Sequence, residues 1–357
     1  MYECALHGHP DKLADILADS IVDFQIIRKK ESRVACEVVV AKNKVVIAGE
    51  INDLDQQEID RLVRETLVQI GYKSAECGIC PFSSDIRFSV SDQSKNLNQI
   101  IGASLLPGDQ SIVVGYATAE HSSMLPLEVY FGKLLAKRLS QLSIPDKFPD
   151  GKLLVCSDRK ELKKGLIRSL FISCQHAPKA NLKDLFSIIY KEVDSIADVS
   201  GVKVQEIYIN PPSGVFDIGG PVADTGVTGR KLIADAYGPR ISWGGGALSG
   251  KDPTKIDRSG AYGARYVARS LVASGLAKEV VVLFAYSFGQ AQPERIEVYD
   301  ENGENSRLEL IVRGKFDVSL QALIEKFDLF RPIFRESTEN FHFGINADLP
   351  WEKSEFI

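Results

Sequence analysis

The segment 244–257, GGGALSGKDPTKID, places two lysines and two aspartates directly after a run of glycines. Glycines let a backbone approach an anion closely and turn its N–H groups toward it, and Lys251 and Lys255 would add mobile positive charge. Asp252 and Asp257 would offer the hard oxygen ligands that Mg²⁺ prefers. The segment therefore predicts a loop that binds a polyphosphate together with its metal ion.

The same segment matches a P-loop only in part. Residues 245–251 fit the first seven positions of that pattern, but Asp252 stands at the eighth, where a P-loop needs Ser or Thr for the metal. We therefore do not expect a P-loop. The alternative interpretation of the whole segment is a glycine-rich turn whose charged side chains are simply solvated.

A second group of reactive residue types opens the chain, in the sequence Gly8-His9-Pro10-Asp11-Lys12. Pro10 suits a first helical turn, whose free N–H groups and dipole would favour an anion beside His9. Asp11 could hold a metal ion at the same place. The alternative is an ordinary N-terminal cap without any ligand.

Other charged residues lie in glycine-flanked loops. Asp109 in PGDQ and Asp224 in PVADTG could each be a turn-capping aspartate, whereas Arg230 and Lys231 suit phosphate. No serine or cysteine stands in a recognisable nucleophile setting. The collected imidazole, cations and acids therefore favour electrostatic stabilisation of a polyphosphate leaving group over covalent catalysis.

Composition limits the class of protein. The 357 residues are 44% hydrophobic and 25% charged, which is enough for two or three cores, and the net charge of −5 argues against a nucleic-acid partner. Cys77 and Cys80 form the one CxxC pair, a weak zinc signal whose alternative is two loop thiols in a reducing cytoplasm. The sequence lacks a long apolar stretch and a signal-peptide pattern, so a cytoplasmic protein without a membrane partner is expected.

A pattern of helix, two strands and helix recurs three times. The predicted copies are helix 12–27 (amphipathic), strands 33–40 and 44–50 and a helix ending at Gly71; helix 124–140, strands 152–158 and 165–174 and helix 180–197; and helix 259–274, strands 279–287 and 294–311 and helix 318–327. This repetition predicts an α+β fold of three similar subdomains, each a β-sheet with helices packed on one face. The predicted lobes are 27–99, 124–198 and 259–357, completed by 1–26, 100–145 and 199–258.

Several motifs together resemble the methionine adenosyltransferases, also called S-adenosylmethionine synthetases. They are GHPDK (8–12), RVACE (33–37), AGEI (48–51), GDQ (108–110), GYAT (115–118), PDGK (149–152), IGGPVADTGVTGRK (218–231), GGGALSGKDPTKIDRS (244–259) and PWEK (350–353). They span nearly the whole chain in the family's order, and the two long central motifs are highly specific.

The resemblance implies three subdomains related by pseudo-threefold symmetry and a specific reaction. Methionine sulfur would attack C5′ of ATP and displace triphosphate, which is then hydrolysed to pyrophosphate and phosphate. The sulfur needs no base, so the protein must orient it and neutralise the leaving group. The resemblance also implies Mg²⁺, with two ions per site, an activating K⁺, and a homodimer with sites between its subunits, with pairing of dimers left open.

The resemblance further implies roles for individual residues. The catalytic positions would be His9, Lys152, Lys251 and Lys255. ATP would be bound by His9, Asp150, Lys152, Phe216, Asp224, Arg230, Lys231, Ala247 and Lys251. Methionine would be bound by Glu50, Gln93, Asp109, Asp224, Lys255 and Phe288. Asp11 and Asp257 would hold Mg²⁺, and Glu37 would help to hold K⁺.

The chain also departs from the family pattern. The departures are His7 for glutamate, Ser111 for glycine, Val215 for an arginine-like position, Trp243 for histidine, Phe288 for isoleucine, and only eight residues between Gln99 and Gly108. They indicate altered gating or substrate preference. Two alternatives stay open, a paralogue that uses another thioether or nucleotide and a catalytically silent nucleotide-binding regulatory subunit. The complete set of charged site residues favours an active enzyme.

Overall fold

A computed structural model describes residues 1–93 and 105–357. The strands of these residues are β1 (Tyr2–Ala5), β2 (Val34–Ala41), β3 (Lys44–Ile51), β4 (Asp85–Ser91), β5 (Ser111–Thr118), β6 (Lys147–Cys156), β7 (Leu166–His176), β8 (Lys203–Ile209), β9 (Gly226–Val227), β10 (Glu279–Tyr286), β11 (Arg295–Asp300) and β12 (Gly303–Glu304). Most of the predicted short loop before Gly108 lies outside the described residues.

These strands form three four-stranded sheets, in the orders β4-β3-β2-β9, β1-β6-β7-β8 and β12-β11-β10-β5. Each sheet is built on an antiparallel hairpin, β2–β3, β6–β7 or β10–β11. The first strand of each hairpin pairs antiparallel with a strand from a distant part of the chain, β9, β1 or β5. The repeated order confirms the predicted α+β fold of three similar subdomains.

The third sheet differs at one edge. β4 and β8 lie parallel to the second hairpin strand in the first two sheets, whereas β12 is a two-residue antiparallel neighbour of β11. Strands also cross between lobes, because β1 joins the second sheet and β9 joins the first. The exact lobe boundaries therefore stay a prediction.

Ten α-helices lie in the described ranges. They are α1 (Pro10–Arg28), α2 (Gln56–Ile70), α3 (Leu127–Gln141), α4 (Arg159–Leu162), α5 (Leu182–Ser200), α6 (Leu232–Asp235), α7 (Ile256–Ala273), α8 (Ser306–Lys315), α9 (Leu320–Phe327) and α10 (Phe334–Glu339). Local sequence sets many of their ends: the Asp55 side chain caps α2, and Gly71 ends it in the left-handed region. No helix of residues 1–93 and 105–357 is long and apolar enough to cross a membrane.

The predicted strand 294–311 is wrong. β11 ends at Asp300, and the chain turns through Gly303, whose φ of 116° suits glycine. Asn305 then caps α8 by accepting a hydrogen bond from the backbone N–H of Leu308. The apolar residues at 308 and 310–312 belong to this helix and do not continue the strand.

The interpretation of the first helix as amphipathic is also wrong. α1 is buried on nearly all sides, since it packs against β2, β9, α2 and α10. Its charged residues at positions 11, 12, 15, 19 and 23 are buried with the apolar ones. α1 is therefore a central element of the molecule rather than a surface helix.

The three sheets each bury one face under helices and leave the other face partly open. On β2 the side chains of Val34, Cys36 and Val38 are buried, whereas Glu37 points to the open side. On the open face of the second sheet the rings of Phe171 and Tyr208 stack with centroids 4.8 Å apart. Residues proposed from sequence for the site stand on these open faces.

Candidate active site

His9 stands at the N-cap of α1, where its Nδ1 atom accepts a hydrogen bond from the backbone N–H of Asp11 at 3.2 Å. A neutral imidazole that accepts at Nδ1 carries its proton on Nε2. Burial, together with the positive charges of Lys231 and Lys152, lowers the pKa of His9 to about 3. At physiological pH the ring is therefore a neutral hydrogen-bond donor at Nε2.

The carboxylate of Asp11 lies beside this ring and is held at both oxygens. Its Oδ1 accepts from the Val227 N–H at 3.0 Å, and its Oδ2 lies 2.5 Å from Lys231 Nζ. Arg230 Nε lies 3.5 Å from Oδ1. Burial raises the pKa of Asp11, but the hydrogen bonds from Lys231 and Val227 outweigh it and the net pKa lies below its ordinary value. Asp11 is therefore ionised and ready to bind a cation.

His9, Asp11 and Asp224 form a group whose potential ligand atoms lie within 4.8 Å of one another. Two carboxylates suit Mg²⁺, which prefers oxygen ligands, whereas the imidazole suits it less. The donor set thus fits a magnesium ion held by Asp11 and Asp224. Asp257, the second magnesium ligand implied by the resemblance, is not part of this group.

A cleft of about 350 Å³ extends this region along the second sheet and is lined by His9, Asp150, Lys152 and Phe216. Burial raises the pKa of Asp150 to about 6, against the opposing hydrogen bonds from the Gly220 and Gly151 N–H groups. The ring nitrogen Nε2 of His176 accepts from the Phe216 N–H at 2.9 Å. The backbone N–H of His176 donates in turn to the Phe216 carbonyl at 3.0 Å. Phe216 is therefore fixed beside the cleft.

We call His9, Asp11, Asp150, Lys152, Phe216, Asp224, Arg230 and Lys231 the His9 cluster. A second group, the Lys251 cluster, comprises Glu37, Glu50, Gln93, Asp109, Lys251, Lys255 and Asp257. In this second cluster Lys251 Nζ lies 2.5 Å from Asp257 Oδ2, and Ser111 Oγ donates to Asp257 Oδ1 at 2.6 Å. Asp257 stands in the first turn of α7, where the helix dipole favours a negative charge.

The Lys251 cluster lines two clefts. One, of about 240 Å³, contains Glu50, Gln93, Asp109 and Lys255 together with Lys251 and Asp257. The other, of about 620 Å³, contains Glu37 and Ala247 and shares Lys251 and Asp257 with the first. The cleft beside His9 thus shares no lining residue with the two clefts of the Lys251 cluster.

Phe288 lies outside the clefts described above. Its side chain is 41% exposed, and the next residue, Gly289, donates its N–H to the Pro107 carbonyl at 2.8 Å. The loop of Phe288 is therefore a neighbour of the loop that carries Asp109. Its role in binding methionine stays a prediction.

Two details of the glycine-rich segment differ from the sequence interpretation. Asp252 does not face a metal site: it is fully buried and accepts hydrogen bonds from Val34 N, Thr254 N and Lys255 Nζ at 2.8, 2.8 and 2.9 Å. A Cβ on Gly246 would lie 2.1 Å from the carboxylate carbon of Asp257. This glycine is required for close packing against that carboxylate.

Known proteins are similar to this chain over nearly its whole length. Family models for the N-terminal, central and C-terminal domains of S-adenosylmethionine synthetase match residues 2–95, 104–216 and 218–353. The chain belongs to the S-adenosylmethionine synthetase family. S-adenosylmethionine synthases of a Nitratiruptor species and of Finegoldia magna are each 39% identical to it, over 99% of this chain and 95% and 96% of their own lengths. The protein of that name from Desulforudis audaxviator is 38% identical, over 98% of this chain and 94% of its own length.

Membership of the S-adenosylmethionine synthetase family confirms the recognition made from the motifs and supports methionine adenosyltransferase activity. The long match over three domains accounts for the three similar sheets.

Sequence reasoning missed a row of aspartates on α1. Asp15 Oδ1 accepts from the Gly229 N–H at 2.7 Å, and Asp19 Oδ1 accepts from the Gly250 N–H at 2.9 Å. Asp23 accepts from the two N–H groups at the start of α10 at 3.0 and 2.9 Å. The signal was present in the sequence, since aspartates recur at every fourth position from 11 to 23. The apolar periodicity of the helix alone does not reveal it.

Proposed function

We propose that this chain synthesises S-adenosylmethionine from ATP and L-methionine, by attack of the methionine sulfur on C5′ of ATP. Triphosphate leaves and is then hydrolysed to pyrophosphate and phosphate. The observation that carries this proposal is the His9 cluster, in which a neutral imidazole lies among Lys152, Arg230 and Lys231. Such an arrangement suits a polyanionic leaving group, because fixed positive charges stabilise charge that develops as the bond to C5′ breaks.

Each member of the His9 cluster has a role in this chemistry. His9 donates from Nε2 to the oxygen that bridges C5′ and the triphosphate, and Lys152, Arg230 and Lys231 bind the phosphates. Phe216, held by His176, stacks on adenine, and Asp150 completes the nucleotide cleft. Asp11 and Asp224 would hold Mg²⁺, which would neutralise further charge on the triphosphate.

The Lys251 cluster supplies the methionine site and the rest of the phosphate contacts. Glu50 and Gln93 face the methionine amino group in the smaller cleft, while Lys255 faces its carboxylate. Asp109 and Asp224 complete the binding of methionine. Lys251 and Lys255 act through their positive charge. Ala247 lines the nucleotide side of the larger cleft, which also contains Asp257 and Glu37. Asp257 would hold a second Mg²⁺, and Glu37 would help to hold K⁺.

The proposed site is completed by a second copy of the chain. The two clusters line separate clefts, although the reaction requires both at one ATP molecule. Glu37 lies on the open face of the first sheet, and Lys152 lies on the open face of the second sheet. The face with Lys152 also carries the stacked rings of Phe171 and Tyr208. A homodimer that pairs these faces would bring the His9 cluster of one subunit to the Lys251 cluster of the other. We also propose that the protein is located in the cytoplasm.

Mass spectrometry of the purified protein tests the proposal. The protein would be incubated with ATP, Mg²⁺, K⁺ and a panel of thioethers, with Asp257→Ala as the matched control. We expect S-adenosylmethionine with methionine and little product from the variant. Preferential use of another thioether would favour the paralogue, for which Phe288 is the motivating residue. Absence of any adenosylated product from the wild type would favour the silent subunit.

A further inference from the structure

The loop that carries Arg230 and Lys231 is docked directly on α1. A Cβ on Gly226 would lie 1.9 Å from the Pro10 carbonyl oxygen, so the loop backbone touches the start of the helix. Further along the loop, the Thr228 hydroxyl accepts from the Val38 N–H at 2.9 Å on β2. These contacts fix where the loop begins but not the direction of the side chains that follow.

Two aspartates one helical turn apart take alternate N–H groups of this loop. Asp11 Oδ1 accepts from Val227 N at 3.0 Å, and Asp15 Oδ1 accepts from Gly229 N at 2.7 Å. Gly229 has a φ of 83°, a left-handed conformation that glycine adopts readily and that turns the chain toward Arg230. Asp15 therefore holds the residue at which the loop changes direction.

From this geometry we propose that Asp15 is a positioning residue for triphosphate binding, acting through the Gly229 N–H on the direction of Arg230 and Lys231. The inference rests on the proposed function of the His9 cluster. Asp11 is in contact with Val227 and Lys231 and would also bind the proposed magnesium ion. Asp15 holds the Gly229 N–H and forms no ion pair with Arg230 or Lys231. Asp15 thus keeps the loop in place when the contacts of Asp11 change on binding.

The same arrangement recurs one turn further along α1. Asp19 accepts from the Gly250 N–H, directly before Lys251, and forms a buried ion pair with Arg258, directly after Asp257. Two catalytic loops are therefore held by neighbouring aspartates of one rigid helix. Asp19 is a poor test position, because its removal leaves the buried Arg258 without its carboxylate partner.

Asp15 and Asp23 offer a matched pair for the experiment. Asp23 lies on the same row and also holds backbone N–H groups, but those groups belong to α10 and carry no site residue. The variants are Asp15→Ala, Asp15→Asn and Asp23→Ala. The near-isosteric Asp15→Leu is included because it fills the buried space and removes the acceptor even where the alanine variant does not fold.

The primary measurement is the affinity for inorganic triphosphate with Mg²⁺ by calorimetry, followed by KM for ATP and for methionine. We expect Asp15→Ala and Asp15→Leu to weaken triphosphate binding and raise KM for ATP by at least about tenfold, since small misplacements of binding groups can cost up to about a hundredfold. KM for methionine should change less than KM for ATP, because most of its proposed ligands, Glu50, Gln93, Asp109 and Lys255, line the cleft of the other cluster. Asp15→Asn should keep most of the wild-type affinity for triphosphate, because the amide oxygen of asparagine can accept a hydrogen bond from the same Gly229 N–H.

The Asp23→Ala variant should lower thermal stability but leave triphosphate affinity unchanged. Unchanged triphosphate affinity in a folded Asp15→Ala or Asp15→Leu protein would overturn the inference, as would an equal loss in Asp23→Ala. An Asp15→Asn protein as weak as Asp15→Ala would also overturn it. A wild type that binds triphosphate but forms no S-adenosylmethionine would contradict the proposed function alone, since the affinity comparison does not depend on turnover.

Discussion

At the scale of single residues, the state of His9 decides what kind of catalysis is available. A histidine with a pKa of about 3 is neutral throughout the physiological range, so it cannot act as a positive charge on the phosphates. Its Nδ1 is already an acceptor for the Asp11 N–H, which leaves Nε2 as a donor. This state is compatible with the role proposed for His9, a hydrogen bond to the leaving oxygen.

The first prediction follows from that state. His9→Asn should slow S-adenosylmethionine formation more than it slows hydrolysis of added triphosphate, because the ring is proposed to act on the bond between C5′ and oxygen and not on the P–O bonds. Both rates would be measured by quenched flow on the same preparation. The wild-type formation rate should show no step from His9 between pH 5 and 8, because a lowered pKa keeps the ring neutral across that range. Equal losses in the two reactions would refute this role.

Phe288 provides a second prediction at this scale. Its aromatic ring replaces the isoleucine of the family pattern, beside the loop of Asp109. Discrimination of one methylene in a pocket is usually worth about 1–3 kcal/mol, so Phe288→Ile should change the ratio of kcat/KM for ethionine and methionine by at least about fivefold. Competition assays on wild type and variant measure this ratio. A change of less than about twofold would mean that the ring only packs.

At the scale of elements, α1 does more than its apolar pattern indicates. It presents a row of buried aspartates whose oxygens take the N–H groups of three distant segments: Asp15 holds Gly229, Asp19 holds Gly250 and Asp23 holds the start of α10. A carboxylate that accepts backbone N–H groups forms charge-assisted hydrogen bonds in its ionised state. The cost is desolvation of the carboxylates, and burial raises the pKa of both Asp15 and Asp23.

The third prediction concerns that cost at Asp23. Burial raises its pKa from the ordinary 3.8 to about 7, although the N–H groups of Arg335 and Phe334 oppose the change. The folded chain therefore binds a proton between these pH values that the unfolded chain does not. The contribution of Asp23 to the free energy of unfolding is fully present below pH 4 and declines as the pH rises through 7.

Chemical denaturation of the wild type and Asp23→Asn between pH 4 and 8 measures this contribution. The wild type should lose stability relative to the variant over this range, by no more than about 4 kcal/mol, because the variant cannot ionise. A difference in the free energy of unfolding that stays constant with pH would contradict the raised pKa.

At the scale of the whole molecule, the proposed homodimer combines the His9 cluster of one subunit with the Lys251 cluster of the other. The fourth prediction uses two impaired variants, His9→Asn, in which S-adenosylmethionine formation is slowed, and Lys251→Ala, which should reduce turnover by at least about a hundredfold. If each site joins the His9 cluster of one subunit to the Lys251 cluster of the other, a mixed dimer contains one intact site and should recover about half of wild-type activity.

Differently tagged chains, co-expressed and purified through both tags, supply the mixed dimer. The matched control pairs His9→Asn with Lys231→Ala, two residues of the same cluster, and should stay inactive because each site then carries one defect. Activity that does not return in the first mixture would show that each chain builds its own site. Activity in the control would show that the defects are not confined to one cluster.

The amino-acid sequence by itself determined the family, the three-fold repetition of helices and hairpins, and the identity of the charged motifs. These features are local: capping residues, alternating apolar residues and glycine-flanked charges act within a few positions of one another. Local patterns can also mislead. The prediction of a strand at 294–311 was wrong in its second half, because the few apolar residues at 308 and 310–312 fit a helix as well as a strand.

Only the tertiary structure decided how the motifs are grouped. It set Asp224 beside Asp11 and placed Asp257 with Ser111 and Lys251 instead. It also showed that Asp252 is a buried structural carboxylate and that α1 lies at the centre of the molecule. Contacts such as Asp15 with Gly229 join residues more than two hundred positions apart. Their formation depends on the packing of whole elements, which no local pattern of residue types encodes.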